Sequence, residues 1–239
     1  MMKKWLTGIL MASAVAVLCV SGWHLHKDYN EQKDSDAQIA MKPDILSAED
    51  DPEIFPLMDF TALEEQNEEI IAWLTIDGLG IEYPILQSVD NSYYLTHTAE
   101  KKGNKQGAIF LDYRNSYDFS DFYSIVYGHN IKGGKMLGNL PSMKESGYFH
   151  RITTGMLYTP AKTYRLEIFA VVVAGSTSDF YRYIFPDTAS LEAHLDMIRE
   201  HAKQYRDIGV TTQDRLVALS TCSYEYKNAR TIVIARLDG

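Results

Sequence analysis

Hydrophobic and polar positions divide the chain into three stretches. From Trp5 to Trp23 no residue is charged, and no polar face interrupts the apolar run. From residue 28 to 53 the pattern inverts, with few large apolar groups. From residue 54 onward short apolar runs alternate with turn residues, the rhythm of strands.

Within that last stretch, Asp59 or Thr61 can cap a short helix, and Thr61 with Glu64 fits a capping box. The pattern predicts strands at 70–76 and 81–86, joined by the turn Asp77-Gly78-Leu79-Gly80, with Pro84 marking an edge or a bulge. Further strands are expected at 107–111, 124–127, 157–158, 164–174, 216–219 and 231–234, and a helical turn at 136–140. One amphipathic helix follows the 164–174 strand. Leu191, Leu195, Ile198, Ala202 and Tyr205 fall on one face of it, with charges opposite. About eight strands with no alternating βαβ rhythm point to an antiparallel barrel or sandwich with appended helices.

The apolar start reads as a membrane span. A run of that length just crosses a ~30 Å bilayer core as a helix. Lys3 and Lys4 precede it, Lys27 follows it, and Trp5 and Trp23 sit at the interface positions. This predicts a signal-anchor over residues 1–27, with the N-terminus in the cytoplasm and the rest outside. The competing reading is a cleaved signal peptide. Its small-residue sites, Ala12-Ser13-Ala14 and Ala14-Val15-Ala16, lie inside the apolar run rather than after it. Residues 28–53 carry nine acids against Lys33 and Lys42, and read as an acidic flexible stalk. Residues 54–239 form the folded domain.

Composition narrows the function. Net charge is −9, from 23 Lys+Arg against 32 Asp+Glu, which argues against a nucleic-acid binder. Two cysteines exclude a disulfide framework or a Cys-rich zinc site. Sixteen Tyr and nine Phe suit a β-rich core. No phosphate-cradling Gly loop, metal spacing or internal repeat is visible, and no cofactor is expected.

Cys19 lies in the apolar run, so Cys222 is the sole cysteine of the folded domain. It ends the apolar strand Ala218-Leu219-Ser220-Thr221, where a thiol is held firmly yet can face a cleft. A thiolate attacks only with a base or positive charge nearby. His129 ends another strand, after Tyr127-Gly128, and Arg230 opens the strand after Cys222. If those last two strands are neighbours, Cys222 and Arg230 face each other. Arg230 cannot act as a base, but it can hydrogen-bond an oxyanion or hold the substrate. A lone Cys or His is also commonly a buried structural residue. His24, His26, His97, His150, His194 and His201 have no special claim.

The stretch Leu219-Ser220-Thr221-Cys222 resembles the Leu-x-Thr-Cys motif of sortases, the transpeptidases of Gram-positive cell surfaces. Arg230, ahead of Thr231-Ile232-Val233-Ile234, matches the family's catalytic arginine, and Tyr127-Gly128-His129-Asn130 its catalytic histidine segment. Ile71-Ala72-Trp73-Leu74, Tyr83-Pro84-Ile85-Leu86-Gln87, Asn91-Ser92-Tyr93-Tyr94-Leu95 and Gly107-Ala108-Ile109-Phe110-Leu111-Asp112 are similar to class B members, as is a helix at 188–206. The resemblance covers residues 55–237. It implies a mainly β fold: a closed eight-stranded barrel, an N-terminal helix and a long helix before the Cys-bearing strand. It implies catalytic roles for His129, Cys222 and Arg230, and a substrate groove lined by Asn91, Leu95, Thr177, Tyr183, Ser220 and Thr221.

The implied reaction is acyl transfer without a cofactor or metal. Cys222 attacks the carbonyl of a Thr in the C-terminal sorting signal of a secreted protein, and the thioester passes to an amine. That amine belongs to a peptidoglycan precursor or, in a pilin polymerase, to a Lys side chain. The implied partners are therefore secreted proteins bearing the sorting motif, one of these amines, and the membrane through the N-terminal helix. Two readings of another class stand beside it: a non-catalytic surface binding module on the same fold, and a thiol peptidase of unrelated fold that releases its acyl group to water.

Overall fold

The computed structural model describes residues 2–46 and 55–239, without the side chains of residues 2–10, 12 and 13. Helix α1 spans Met2–Ala40 and α2 spans Thr61–Gln66. Strands β1 (Ile70–Ile76), β2 (Ile81–Leu86), β3 (Ile109–Leu111) and β4 (Tyr123–Tyr127) follow. After the short helix α3 (Ser146–Arg151) come β5 (Thr154–Tyr158) and β6 (Thr163–Gly175). The chain ends with α4 (Thr188–His201), β7 (Ala202–Tyr205), β8 (Arg215–Cys222) and β9 (Ala229–Asp238).

The strands form one sheet in the order β5-β1-β2-β3-β4-β8-β9-β6-β7, and β5 also pairs with β6. That last pairing closes eight strands into a barrel and leaves β7 as an added edge on β6. A sandwich is thereby excluded. The barrel is mixed rather than antiparallel, because β2–β3 and β4–β8 run parallel. Parallel neighbours need long crossovers. Here the segment after Leu86 and the excursion from β4 to β8 supply them.

Closure explains why the strands are so apolar. β1 reads buried at all but one position, and β8 at its six central ones. Leu74, Ile85, Leu111, Val126, Leu157, Leu166, Leu219 and Val233 meet in the barrel interior. A second cluster, including Tyr123, Phe169, Ile198 and Ile234, lies between the barrel and α4. Each such side chain stabilises the fold by roughly 1.5–3 kcal/mol relative to exposure.

Several local expectations change. The pattern-based helix at 188–206 ends at His201, and Ala202 and Tyr205 belong to β7 instead. Ala202 pairs with Val172 and Tyr205 with Ala170 on β6, so a ladder replaces the helical face. The turn expected at 136–140 comes later, as a 3-10 helix over Leu140–Lys144. No capping box forms at Thr61 and Glu64. Asp59 Oδ1 already accepts from the Thr61 amide at 2.9 Å, and the capping box of the molecule joins Asp187 to Ser190 ahead of α4. Pro84 lies opposite Trp73 on β1, and β3 joins β2 only at Ile85 and Leu86. The strand is thus locally one-sided at Pro84, where a missing N–H is tolerated.

The N-terminal helix runs past the boundary expected at residue 27. Among the described residues, α1 runs without a break from Met2 into the acidic segment and ends at Ala40. Glu31, Ser35 and Gln38 share one helix face and are buried against the folded domain. Those contacts offset the ordering entropy that an isolated acidic segment could not meet. Residues 47–53 of the expected stalk lie outside the described residues. Among the described residues, no helix is long and apolar enough to cross a membrane. The side chains of Lys3, Lys4 and Trp5 lie outside that description.

Candidate active site

Strands β4, β8 and β9 lie side by side and bring His129, Cys222 and Arg230 to one end of the barrel. Cys222 is paired with Arg230 across the antiparallel β8–β9 ladder, so their side chains share a face of the sheet. On the other side of β8, Tyr127 pairs with Ser220 in parallel register. The chain beyond β4 stays alongside β8. The Gly128 amide donates to Ser220 O at 3.2 Å, and Thr221 Oγ1 donates to Gly128 O at 2.7 Å. Asn130 Nδ2 then donates to Cys222 O at 2.8 Å. His129 is bracketed by these bonds, next to the strand end that carries the thiol.

Gly128 is required for this approach. A Cβ there would lie 2.7 Å from Leu137 Cγ and 3.2 Å from Ile109 Cγ1. Only glycine lets the His129 segment settle on the barrel end at that distance.

The imidazole is oriented by backbone. His129 Nε2–H donates to Leu95 O at 2.8 Å, since a carbonyl oxygen can only accept. That bond selects the tautomer and leaves Nδ1 as the nitrogen free to exchange a proton. Among the described residues Arg230 donates one bond, to Ala229 O at 3.1 Å, and the rest of its fork of donors is uncommitted to them.

These residues line a cleft of about 750 Å³ at the barrel end. Asn91, Leu95, Thr177, Ser220 and Thr221 line it too. Their roles differ. Asn91 Oδ1 accepts from the Tyr113 amide, and Leu95 supplies the carbonyl that holds His129. Ser220 and Thr221 are buried, and their hydroxyls are engaged by Tyr181 and Gly128. Tyr183 is not part of the wall. Its ring lies 4.0 Å under the Arg114 guanidinium, and it is Arg114 that lines the cleft.

Sequence reasoning missed a buried polar network beneath the cleft. Asp112, fully buried, accepts from Arg114 Nε at 2.8 Å, Arg114 Nη2 at 2.7 Å and Tyr127 Oη at 2.9 Å. Burial pushes the Asp112 carboxyl up, but the Arg114 and Tyr127 bonds outweigh it and hold the group below its ordinary value. Tyr181 was missed as well. Its ring lies parallel to Tyr127 at 6.1 Å, and its hydroxyl contacts Ser220 Oγ at 2.8 Å. Burial pushes that phenol up to about 12. Asp112 closes an apolar strand in the sequence, and its partner two residues on makes a readable Asp-x-Arg spacing. Nothing in the sequence distinguishes Tyr181 from Tyr183.

A partly exposed thiol, a histidine of fixed tautomer and a guanidinium with free donors can together carry out acyl transfer. Among the described residues, no group of three or more His, Cys, Asp or Glu is placed to hold a metal ion.

The chain is similar to known proteins. A sortase domain family model matches residues 74–238. The sortase B of Listeria monocytogenes is 32% identical over 98% of each chain. The crystal structure of sortase B from Bacillus anthracis superposes with a TM-score of 0.76 at 30% identity, covering 90% of this chain and 99% of that one. A Streptococcus pyogenes class B sortase involved in pilus biogenesis gives 0.69 at 34% identity, over 75% of this chain and 98% of that one. With the barrel, the Cys-bearing strand end and the cleft in place, the chain belongs to the sortase family, as a cysteine transpeptidase of class B.

Proposed function

We propose that Cys222, His129 and Arg230 are the catalytic residues, and that the acyl donor is a C-terminal sorting signal of a secreted protein. Cys222 passes its thiol proton to His129 Nδ1, and the thiolate attacks the carbonyl of a Thr in that signal, forming the C–S bond and a tetrahedral oxyanion. Arg230 donates to the oxyanion. The intermediate collapses with cleavage of the C–N bond, and His129 delivers a proton to the departing amine. The thioester is then attacked by an incoming amine, which gives up its proton to His129 as the new amide forms and the thiolate leaves.

The observation that carries this reading is the direct pairing of Cys222 with Arg230, with His129 held on the far side of the same strand. The cleft that they share is lined by Asn91, Leu95, Thr177, Ser220 and Thr221, a groove sized for a short extended peptide. The acceptor in this proposal is the amine of a cell-wall precursor. Anchoring of secreted proteins to the wall follows, at the cell envelope where sortases work.

In the same proposal residues 1–27 are a cytoplasmic tip and single-pass signal-anchor, and residues 54–239 are the extracellular catalytic domain. Its support is the uncharged run from Trp5 to Trp23 between Lys3, Lys4 and Lys27. Full-length protein found only in culture supernatant would overturn the anchor.

The test of function incubates the full chain in detergent micelles with a small library of sorting peptides, with and without added amine. Mass analysis should show an amide product when amine is present and a Cys222 thioester when it is absent. Release to water at the same rate in both arms would identify a peptidase. No turnover of any peptide would leave a binding module. Preference for a pilin Lys peptide over a wall-bridge amine would move the chain to pilus assembly.

A further inference from the structure

We propose that helix α1 positions His129 for proton transfer, through Gln38 and Asp36, so that the N-terminal segment is part of the working enzyme rather than a passive tether. This role for α1 rests on the acid–base role of His129 proposed above.

Two separate contacts lead from α1 to the two backbone segments that fix the imidazole. The first runs through Gln38, whose side chain is buried in the folded domain. Its Nε2 donates to Gly107 O at 3.2 Å, and its Oε1 accepts from the Ala99 amide at 3.0 Å. Closer to the N-terminus of the same helix, Asn104 Nδ2 donates to Glu31 O at 2.8 Å. The loop from His97 to Gly107 is therefore clamped along its length by one face of α1.

That loop folds back on Tyr94 and Leu95. The Ala108 amide donates to Tyr94 O at 2.9 Å. Gly107 adopts φ +62°, and a Cβ there would lie 2.4 Å from Tyr94 O and 2.8 Å from Leu95 O. Leu95 O is the acceptor that sets the His129 tautomer. The helix thus bears on the oriented carbonyl through a contact with no slack.

The second contact is the ion pair between Asp36 and Lys135. Lys135 belongs to the loop that leaves His129 and returns to it. Gly138 donates to Lys135 O at 2.8 Å, and Leu137 donates to His129 O at 3.1 Å. Asn130 and Met136 bridge the base of the loop. So α1 grips the segment that supplies the acceptor of the imidazole and the segment that carries the imidazole. A misplacement of about 1 Å at a reacting group can cost on the order of 10²-fold in rate. Tethering alone needs neither contact.

The experiment uses the full chain in detergent micelles, one sorting peptide and one amine. Gln38→Ala should lower kcat by about tenfold, with KM within about twofold of wild type. Asp36→Asn, a surface change that leaves the core untouched, should lower kcat by about two- to fourfold, and Asp36→Glu should restore it. The nitrogen NMR signature of the His129 ring should pass from the single Nε2–H tautomer to a mixture in Gln38→Ala. Thermal melting separates these effects from unfolding, and Asp36→Asn carries the test if Gln38→Ala does not fold. Wild-type kcat and an unchanged ring signature in both variants, with His129→Ala inactive, would overturn the proposal. So would a rise in KM at constant kcat. Normal turnover by His129→Ala would instead overturn the acid–base assignment, and the positioning role of α1 with it.

Discussion

Cys222 stands directly opposite Arg230 on neighbouring antiparallel strands, so a thiol and a donor-rich cation meet without any loop having to close. Opposite residues in such a ladder carry Cβ atoms about 4.5–5.5 Å apart on the same face. The geometry is set by strand register, and register is held along the whole ladder, from the Arg215–Leu237 pair to the Cys222–Arg230 pair.

Replacement of the thiol should separate chemistry from folding. Cys222→Ala removes one sulfur from a partly exposed strand end, so the melting temperature should stay within a few degrees of wild type. Peptide cleavage and acyl-enzyme mass should both vanish. Residual turnover above about 1% of wild type would show a different nucleophile.

Arg230 offers two separable roles. As an oxyanion donor it acts in the transition state, and Arg230→Ala should cost about 10²–10³ in kcat. As a substrate anchor it would raise KM at nearly constant kcat. Arg230→Lys keeps charge without the planar fork and should recover activity only in part. Steady-state kinetics on one sorting peptide decides, and near-normal kcat in Arg230→Ala would leave Cys222 and His129 as a dyad.

The Asp112 carboxylate should matter more to the cleft than its distance from the thiol suggests. Asp112→Asn leaves the Arg114 guanidinium partly buried without its counter-charge, a change of the kind that costs about 3–5 kcal/mol. It should also free the stack of Arg114 on Tyr183 and raise KM for the peptide. Tyr183→Phe keeps the stacking ring and should leave KM unchanged. A KM effect of Tyr183→Phe comparable to that of Asp112→Asn would return Tyr183 to the groove itself.

His194 predicts an acid-sensitive domain. It is buried on α4 among Phe122, Tyr123, Phe180 and Phe185, and among the described residues its Nε2 has no hydrogen-bond partner. Burial lowers its pKa to about 4, assisted by Arg182 and opposed by Asp179. The folded-state value is below the unfolded one, so the unfolded chain takes up the proton first as pH falls. Stability is full above about 6.5, declines between there and about 4, and is level below. With about 1.4 kcal/mol for each tenfold change in proton affinity, the loss is on the order of 3 kcal/mol. Melting temperature against pH should show this slope in wild type and lose most of it in His194→Phe.

The candidate catalytic residues are legible in the sequence because their types are chemically scarce. One cysteine in the folded domain, one arginine opening the next strand and one histidine after Tyr-Gly stood out by type and by strand-end position. Strand locations were legible for the same reason that closed barrels are stable: apolar runs bounded by turn residues have few other uses. Helix limits were harder to read. Ala202 and Tyr205 continue the helical period of α4, yet hydrogen bonds offered by β6 draw them into a strand.

What the sequence alone determined is the chemistry available to this protein and the elements that carry it. Residue type sets nucleophilicity, charge and hydrogen-bonding capacity, and local periodicity sets strand or helix. What only the tertiary structure decided is which of these groups meet. The parallel β4–β8 pairing puts His129 beside the Cys222 strand. The β3–β4 pairing brings the Tyr127 hydroxyl onto the Asp112 carboxylate. Residues 28–40 of the acidic segment are held as helix against the domain, where Gln38 finds two backbone partners in the loop from His97 to Gly107. Each is a contact between residues distant in sequence, whose free energy appears only once the chain has closed on itself, and no local pattern encodes it.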